Sequence, residues 1–230
     1  MQLWMGDALA NEVQLNTPGR VGGVPYLPMD FDAPRSILSG EPMQFVFQIA
    51  FPECHVLHGY TAAMFLAIDE IREDLVIPPL SCGELARMSV DKAKLIEQQA
   101  LHGAFLFHQD KLMPRHDLLS PVQARALVPA AADDAYLPFG CIADDPEWLL
   151  GDETPRPLDH RYPSVFCFST VQGLLLPVIA GSPPQVVVDF LSPDQRASRR
   201  ETYGMFAGNA AYYFAYPGAE QLISVVVQGD

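Results

Sequence analysis

Proline limits what this chain can build. Twenty-one prolines are spread through 230 residues, and each interrupts a helix interior or excludes the middle of a sheet. Many short elements joined by turns are expected in place of long ones. The clearest runs between the prolines are β-branched and aromatic. MQFVFQIAF at 43–51 is bounded by Pro42 and Pro52, and YTAAMFLAI at 60–68 follows a turn at His58-Gly59. Both read as strands of a hairpin-like unit. HGAFLFHQD (102–110), SVFCFST (164–170), GLLLPVI (173–179), QVVVDFL (185–191), AAYYFAY (210–216) and QLISVVVQ (221–228) read the same way. In the fifth of these, alternation puts Tyr212, Phe214 and Tyr216 on one face and Tyr213 on the other.

Helices are expected between the strands. A short one is predicted around Leu3–Val13. Ser81 followed by Glu84 has the spacing of a capping box, opening one or two short helices over 81–101. Ser120-Pro121 opens another over 119–130, with proline at the first helical position. The expected class is α+β and β-rich, with two related antiparallel sheet units packed in one globular body and helices inserted between them. One domain over 1–230 suits the length, and 49% apolar residues supply a core. An echo supports the two related units, placed around 19–70 and 164–230. MQFVFQIAFPE at 43–53 aligns without a gap on PQVVVDFLSPD at 184–194. The helical and acidic stretch around 81–160 reads as an insertion.

GRVGGVPYLP at 19–28 poses a choice between a phosphate loop and a structural turn. A phosphate loop feeds a helix N-terminus and usually carries a lysine. This stretch has no lysine, and Pro25 and Pro28 keep a helix from forming. Its glycines fit a turn, followed by an extended segment. These residues also carry a family resemblance. Gly22, Gly23, Pro25, Tyr26, Leu27 and Pro28, then Gly40, Pro42, Phe45, Gln48 and Ile49, resemble the GG-x-P-x-x-P and G-x-P strand motifs of the YwqG-like family of bacterial proteins of unassigned function. YGMFAGNAAYYF at 203–214 is similar to that family's glycine-containing stretch before an aromatic strand, with Asn209 where an aspartate is frequent. The resemblance covers 19–68 and 185–216 and does not extend over 70–165. It implies a mixed, β-rich fold with internal pseudo-symmetry and an immunity or accessory role beside toxins, and it supplies no catalytic residues, since none are established for the family.

The formal charge is −14, from 14 basic and 28 acidic residues. Nucleic-acid binding is disfavoured, because neutralising phosphates needs a basic face. Basic partners are attracted instead. The charge concentrates in 131–160. Eight acids there, against Arg156 alone, leave seven negative charges, half the net value. Asp144, Asp145, Glu147, Asp152 and Glu153 fall within ten residues around Trp148. No D-x-D-x-D-G calcium loop is present, so the expected role is a protein contact, with Trp148 as an aromatic anchor inside an acidic rim.

Chemistry has one other candidate. Glu53, Cys54, His55 and His58 are all of metal-ligating type, with His102, His108 and His116 as possible second-segment ligands. Cys54 with His58 is a conceivable nucleophile and base across a turn, whereas Cys54 and His55 would point to opposite faces of a strand. None of the four cysteines stands in C-x-x-C spacing, and free thiols are expected. No catalytic residue, metal or cofactor is assigned. Arg196, Arg199 and Arg200 form the one basic cluster and read as a charged surface. The start, MQLWMGDALANE, has no basic segment before an apolar run, and GLLLPVIAG is too short to span a bilayer. A cytoplasmic protein without a membrane partner is expected. Its function is read as non-enzymatic binding, with immunity against a basic toxin or effector as the working form. The alternative is a hydrolase or metal-binding enzyme using Glu53–His58.

Overall fold

The computed structural model describes residues 1–8, 18–68, 101–118, 120–129, 136–156, 163–188, 195–218 and 221–229. Strands dominate them. The first half holds β1 (Gln2–Ala8), β2 (Gly19–Val21), β3 (Tyr26–Leu27), β4 (Gln44–Ala50), β5 (Tyr60–Leu66), β6 (His102–His108), β7 (Met113–Pro114) and β8 (Arg125–Val128). The second half holds β9 (Leu137–Cys141), β10 (Val165–Thr170), β11 (Leu175–Pro177), β12 (Val186–Val188), β13 (Gln195–Ala197), β14 (Thr202–Gly204), β15 (Ala210–Ala215) and β16 (Ile223–Gln228).

Ten of these strands form one antiparallel sheet, in the order β16-β15-β10-β9-β1-β8-β2-β4-β5-β6. Its two ends meet. Phe105 on β6 bridges Leu222 beside β16, and the Leu106 N–H donates to the Gln221 carbonyl at 2.6 Å. The sheet thus curls nearly into a barrel, which removes most of the exposed strand edge. Its interior is filled by side chains. Phe47 packs edge-on against Phe139, Phe168 and Tyr213, at 5.1, 6.0 and 6.0 Å. Phe168 and Tyr213 stack at 4.1 Å.

The outer face carries two further apolar clusters. Phe45, Phe65 and Phe107 form one, roofed by Phe31. Phe166, Tyr212, Phe214 and Tyr216 form the other, roofed by Trp148. Strands covered on both faces read as continuous apolar runs, and every residue of β15 and β16 is buried. The expected alternation holds: Tyr213 lies inside, while Tyr212, Phe214 and Tyr216 lie in the outer cluster.

Two halves of the sheet correspond in register. Phe45 faces Phe65 and, after a bulge, Phe47 faces Met64. Phe166 faces Phe214 and, after a bulge, Phe168 faces Tyr213. Two residues beyond each second phenylalanine, Ile49 faces Gly19 and Thr170 faces Gly140. The correspondence is therefore β2-β4-β5-β6 with β9-β10-β15-β16. It differs from the sequence echo. β4 is central in the large sheet, whereas β12 pairs only with β13 in a separate two-stranded sheet. The echo rested on shared strand composition, which many buried strands have.

The expected α+β class with inserted helices is corrected to a β-rich fold. Among the described residues only two single-turn 3-10 helices occur, Gln109–Lys111 and Phe206–Gly208. The segment read as a helix from Leu3 is strand β1 through Ala8, held between β8 and β9. Residues 119–130 contain β8, held between β1 and β2. Ladder pairing on both sides overrides the helix-forming alanines and leucine there. The expected helices over 81–100 lie outside the described residues. The two packed sheet units are one continuous sheet, and the acidic stretch contributes β9 to its middle.

The GRVGGVPYLP stretch is the turn expected of it. Gly22 and Gly23 take φ of +62° and +70°, a left-handed conformation that glycine adopts without a steric cost. Beyond them Tyr26 pairs with Pro114 in a short ladder. The Gln48 carboxamide takes the Tyr26 N–H at 3.1 Å and donates back to its carbonyl at 2.5 Å. A side chain here does the work of a strand partner.

Candidate functional site

The acidic stretch leaves the sheet at the end of β9 and runs over the outer cluster. Its backbone is fixed by two side chains from the sheet. The Tyr212 hydroxyl donates to the Glu147 carbonyl at 3.0 Å and accepts the Leu149 N–H at 3.1 Å. The Gln228 carboxamide accepts the Leu150 N–H at 3.2 Å and donates to the Gly151 carbonyl at 2.8 Å. Asp152 closes a local turn by accepting from the Thr154 N–H and hydroxyl, at 2.9 and 2.7 Å. Those bonds hold the Asp152 carboxyl below the usual carboxylate range. Asp144, Asp145, Glu147 and Asp152 are exposed; Glu153 is half-buried, and its carboxylate accepts from Gln228 at 3.1 Å.

Trp148, expected as an aromatic anchor inside the acidic rim, is half-buried. Its ring lies on Tyr212 and Phe214, with centroids at 4.5 and 5.8 Å, as the roof of the outer cluster. The apolar side chains offered to solvent are the next two, Leu149 at 44% exposure and Leu150 at 68%. Along the segment, this exposed apolar pair falls between the exposed Asp144, Asp145 and Glu147 on one side and Asp152 on the other. Tyr212 and Gln228, which hold it, carry no signal in sequence beyond their place on two outward-facing strand positions. Trp148→Ala is expected to cost about 2 kcal/mol in denaturant unfolding, by opening the roof over Tyr212 and Phe214.

The Glu53–His58 segment is the β4–β5 turn. His55 is buried at its base, stacked on Phe51 at 4.8 Å. Its Nδ1 accepts the Leu57 N–H at 3.1 Å and its Nε2 faces the Ala143 carbonyl at 3.2 Å. Those partners fix a neutral ring with hydrogen on Nε2. Burial holds its pKa below the ordinary histidine value. Both nitrogens are thus engaged in tying the turn to the start of the acidic stretch. Glu53, Cys54 and His58 are exposed. Of the other histidines, His102 is buried in the sheet, while His108 and His116 are exposed. Among the described residues no three metal-ligating side chains come together.

A cleft of about 310 Å³ beside β6 brings Tyr60, His108, Lys111 and Gln221 together. The His108 ring lies 4.2 Å from that of Tyr60, and its Nδ1 is 3.7 Å from the Asp110 carboxylate. No serine, threonine or cysteine is among the described residues lining it.

No family model matches the chain, and no curated protein matches it.

Proposed function

We propose that this chain is a binding protein that blocks a basic protein partner with the acidic segment 144–153, in the manner of a cytoplasmic immunity protein. The observation that carries the reading is the pinned segment. Tyr212 and Gln228 hold the backbone at Glu147, Leu149, Leu150 and Gly151, and the exposed carboxylates of Asp144, Asp145, Glu147 and Asp152 flank the exposed Leu149 and Leu150 in sequence. A preordered loop loses little entropy on binding. Apolar contact in the middle of a charged rim gives affinity at the centre and steering at the edge. The net charge of −14 adds long-range attraction for a cation-rich surface. The resemblance of residues 19–68 to YwqG-like proteins favours the same reading.

The test uses the protein as bait in lysate of its own host, at low and moderate salt, beside the variant Asp144→Asn/Asp145→Asn/Glu147→Gln. A basic protein retained by the parent and reduced at least about ten-fold on the variant is expected, since charge-assisted contacts contribute 1.5–3 kcal/mol each. The variant should unfold at the same temperature as the parent, because among the described residues none of the three carboxylates joins a hydrogen bond that holds the fold. Equal retention by both proteins would refute the assignment.

A further inference from the structure

The nearly closed sheet has one lightly joined seam, and a buried histidine stands on the strand beside it. β6 is joined to β5 by seven consecutive residue pairs, from Tyr60 with His108 to Leu66 with His102. On its other side β6 makes no ladder. Among the described residues it meets the β16 edge through one bridge, Phe105 with Leu222, beside which the Leu106 N–H donates to the Gln221 carbonyl at 2.6 Å. Towards His108 the two edges draw apart. The cleft of about 310 Å³ lies there, with Leu106, Phe107 and His108 on one side and Pro217, Gly218 and Gln221 on the other. Parting β6 from β16 breaks a bridge, whereas parting it from β5 breaks a whole ladder.

His102 is three residues from that bridge, about 10 Å along the strand. It faces Leu66 across the ladder, and Leu66, Ala104 and Leu106 all belong to the interior cluster, so alternation turns its ring into the barrel. The residue is buried, and among the described residues its Nε2 has no hydrogen-bond partner. A neutral ring bears this at the cost of one unmade bond; an imidazolium without water or a counter-charge does not. The neighbouring strands offer no counter-charge. β4 and β16 carry no acid or base, and β5 carries Tyr60 alone, at its far end opposite His108, which is the other titratable group of β6. Burial is accordingly the cause that lowers the pKa of His102 to about 4. A proton on this ring needs water, and for a strand at the seam the least costly way to water is through the seam.

We propose that His102 is an acid-sensitive latch: when its ring is protonated, β6 parts from β16 and the barrel opens at this seam with the β5–β6 ladder intact. In the open form the ring is solvated and takes its proton near 6.5, against about 4 in the closed form. Opening therefore gains nothing from His102 above pH 6.5 and gains steadily as pH falls from 6.5 towards 4. The acidic segment hangs from Tyr212 and Gln228, whose β15–β16 ladder survives the opening, so the latch does not depend on the binding role. The test is amide hydrogen exchange of the whole protein by NMR at pH 7.5 and 4.5, corrected for the intrinsic effect of pH on exchange. The Leu106 amide, whose acceptor lies across the seam, is expected to lose about ten- to a hundred-fold of its protection at pH 4.5. At that pH it should exchange at least about ten-fold faster than the amides of the β10–β15 and β15–β16 ladders, because local opening precedes global unfolding. His102→Leu, or His102→Gln should leucine fail to fold, should keep Leu106 equally protected at both pH values. Leu106 exchanging in step with the two ladders at pH 4.5 would overturn the latch, because the opening would then be global. An undiminished loss in the His102 variant, or no loss in the parent, would overturn it as well.

Discussion

Alanine at Gly140 is expected to destabilise the protein by about 3 kcal/mol or more, a large part of the stability of a typical domain. The added Cβ would fall on the Ser169 carbonyl oxygen, well inside van der Waals contact, and 3.1 Å from the Thr170 Cα. Both are backbone atoms of the neighbouring strand, which cannot rotate away as a side chain would. Gly19 stands in the corresponding place of the other half, with its Cβ aimed at the Gln48 carbonyl oxygen and 3.1 Å from the Ile49 Cα. Gly19→Ala should therefore carry a similar cost, and the double variant should fail to fold. Gly151→Ala is the control. Nothing lies within 4 Å of its Cβ position and its φ is ordinary, so a change within about 0.5 kcal/mol is expected. Urea unfolding of the parent and the four variants reads all of these. A mild effect at Gly140 beside a severe one at Gly19 would break the correspondence of the two halves.

Acid is expected to weaken the fold through His102 in particular. This side chain is 3% exposed, faces Leu66 across the β5–β6 ladder, and has no hydrogen-bond partner for its Nε2 among the described residues. Burial pushes its pKa down to about 4. The unfolded chain, with a histidine near 6.5, therefore binds the proton more readily than the folded one. The neutral ring's contribution is fully present above pH 6.5 and is lost as pH falls through 6.5 towards 4. The loss amounts to about 3 kcal/mol when complete. His55, also held below its ordinary value by burial, acts in the same direction. His102→Leu removes the titrating group and the unmatched nitrogen. It should unfold near the parent's midpoint at pH 7.5 and at clearly higher urea than the parent at pH 4.5. Parallel pH profiles for the two proteins would show that His102 titrates like an exposed histidine.

What the chain discloses before folding follows from which force sets each element. β4, β5, β6, β10, β15 and β16 are legible because they are buried on both faces and so are rich in β-branched and aromatic residues. β1 and β8 are hidden because their local composition is helix-forming, with Leu3, Met5, Ala126 and Leu127 in the two segments. They are strands because they pair with each other and with β9 and β2, and long-range pairing leaves no local mark. β9 is hidden by the acidic residues around it, although Phe139 and Gly140 sit in the middle of the sheet. The correspondence of the two halves lies in bulges and in a close-packed glycine in each. A gapless alignment of apolar letters therefore selected β12 instead of β10.

The acidic segment was legible as a charge run, because charge is a property of sequence. Its internal arrangement was not. Spacing named the tryptophan as an aromatic anchor but not the surface it covers: a large ring above Tyr212 and Phe214 gains more from covering an apolar face than from solvent. The exposure passes to Leu149 and Leu150 for the same reason: once Trp148 turns inward, the next residues are carried over the roof. His55 likewise offered metal chemistry in sequence and is spent on two backbone groups in the fold.

The most direct test of the proposed acidic docking surface is the salt dependence of affinity for a basic protein captured with the protein as bait. It should be measured for the parent and for Asp144→Asn/Asp145→Asn/Glu147→Gln across a series of ionic strengths. The account predicts tight binding by the parent that weakens steeply as salt screens the rim, with the variant weaker and nearly flat over the same range. Two parallel curves of equal slope would contradict it, and would place the contact elsewhere on the molecule.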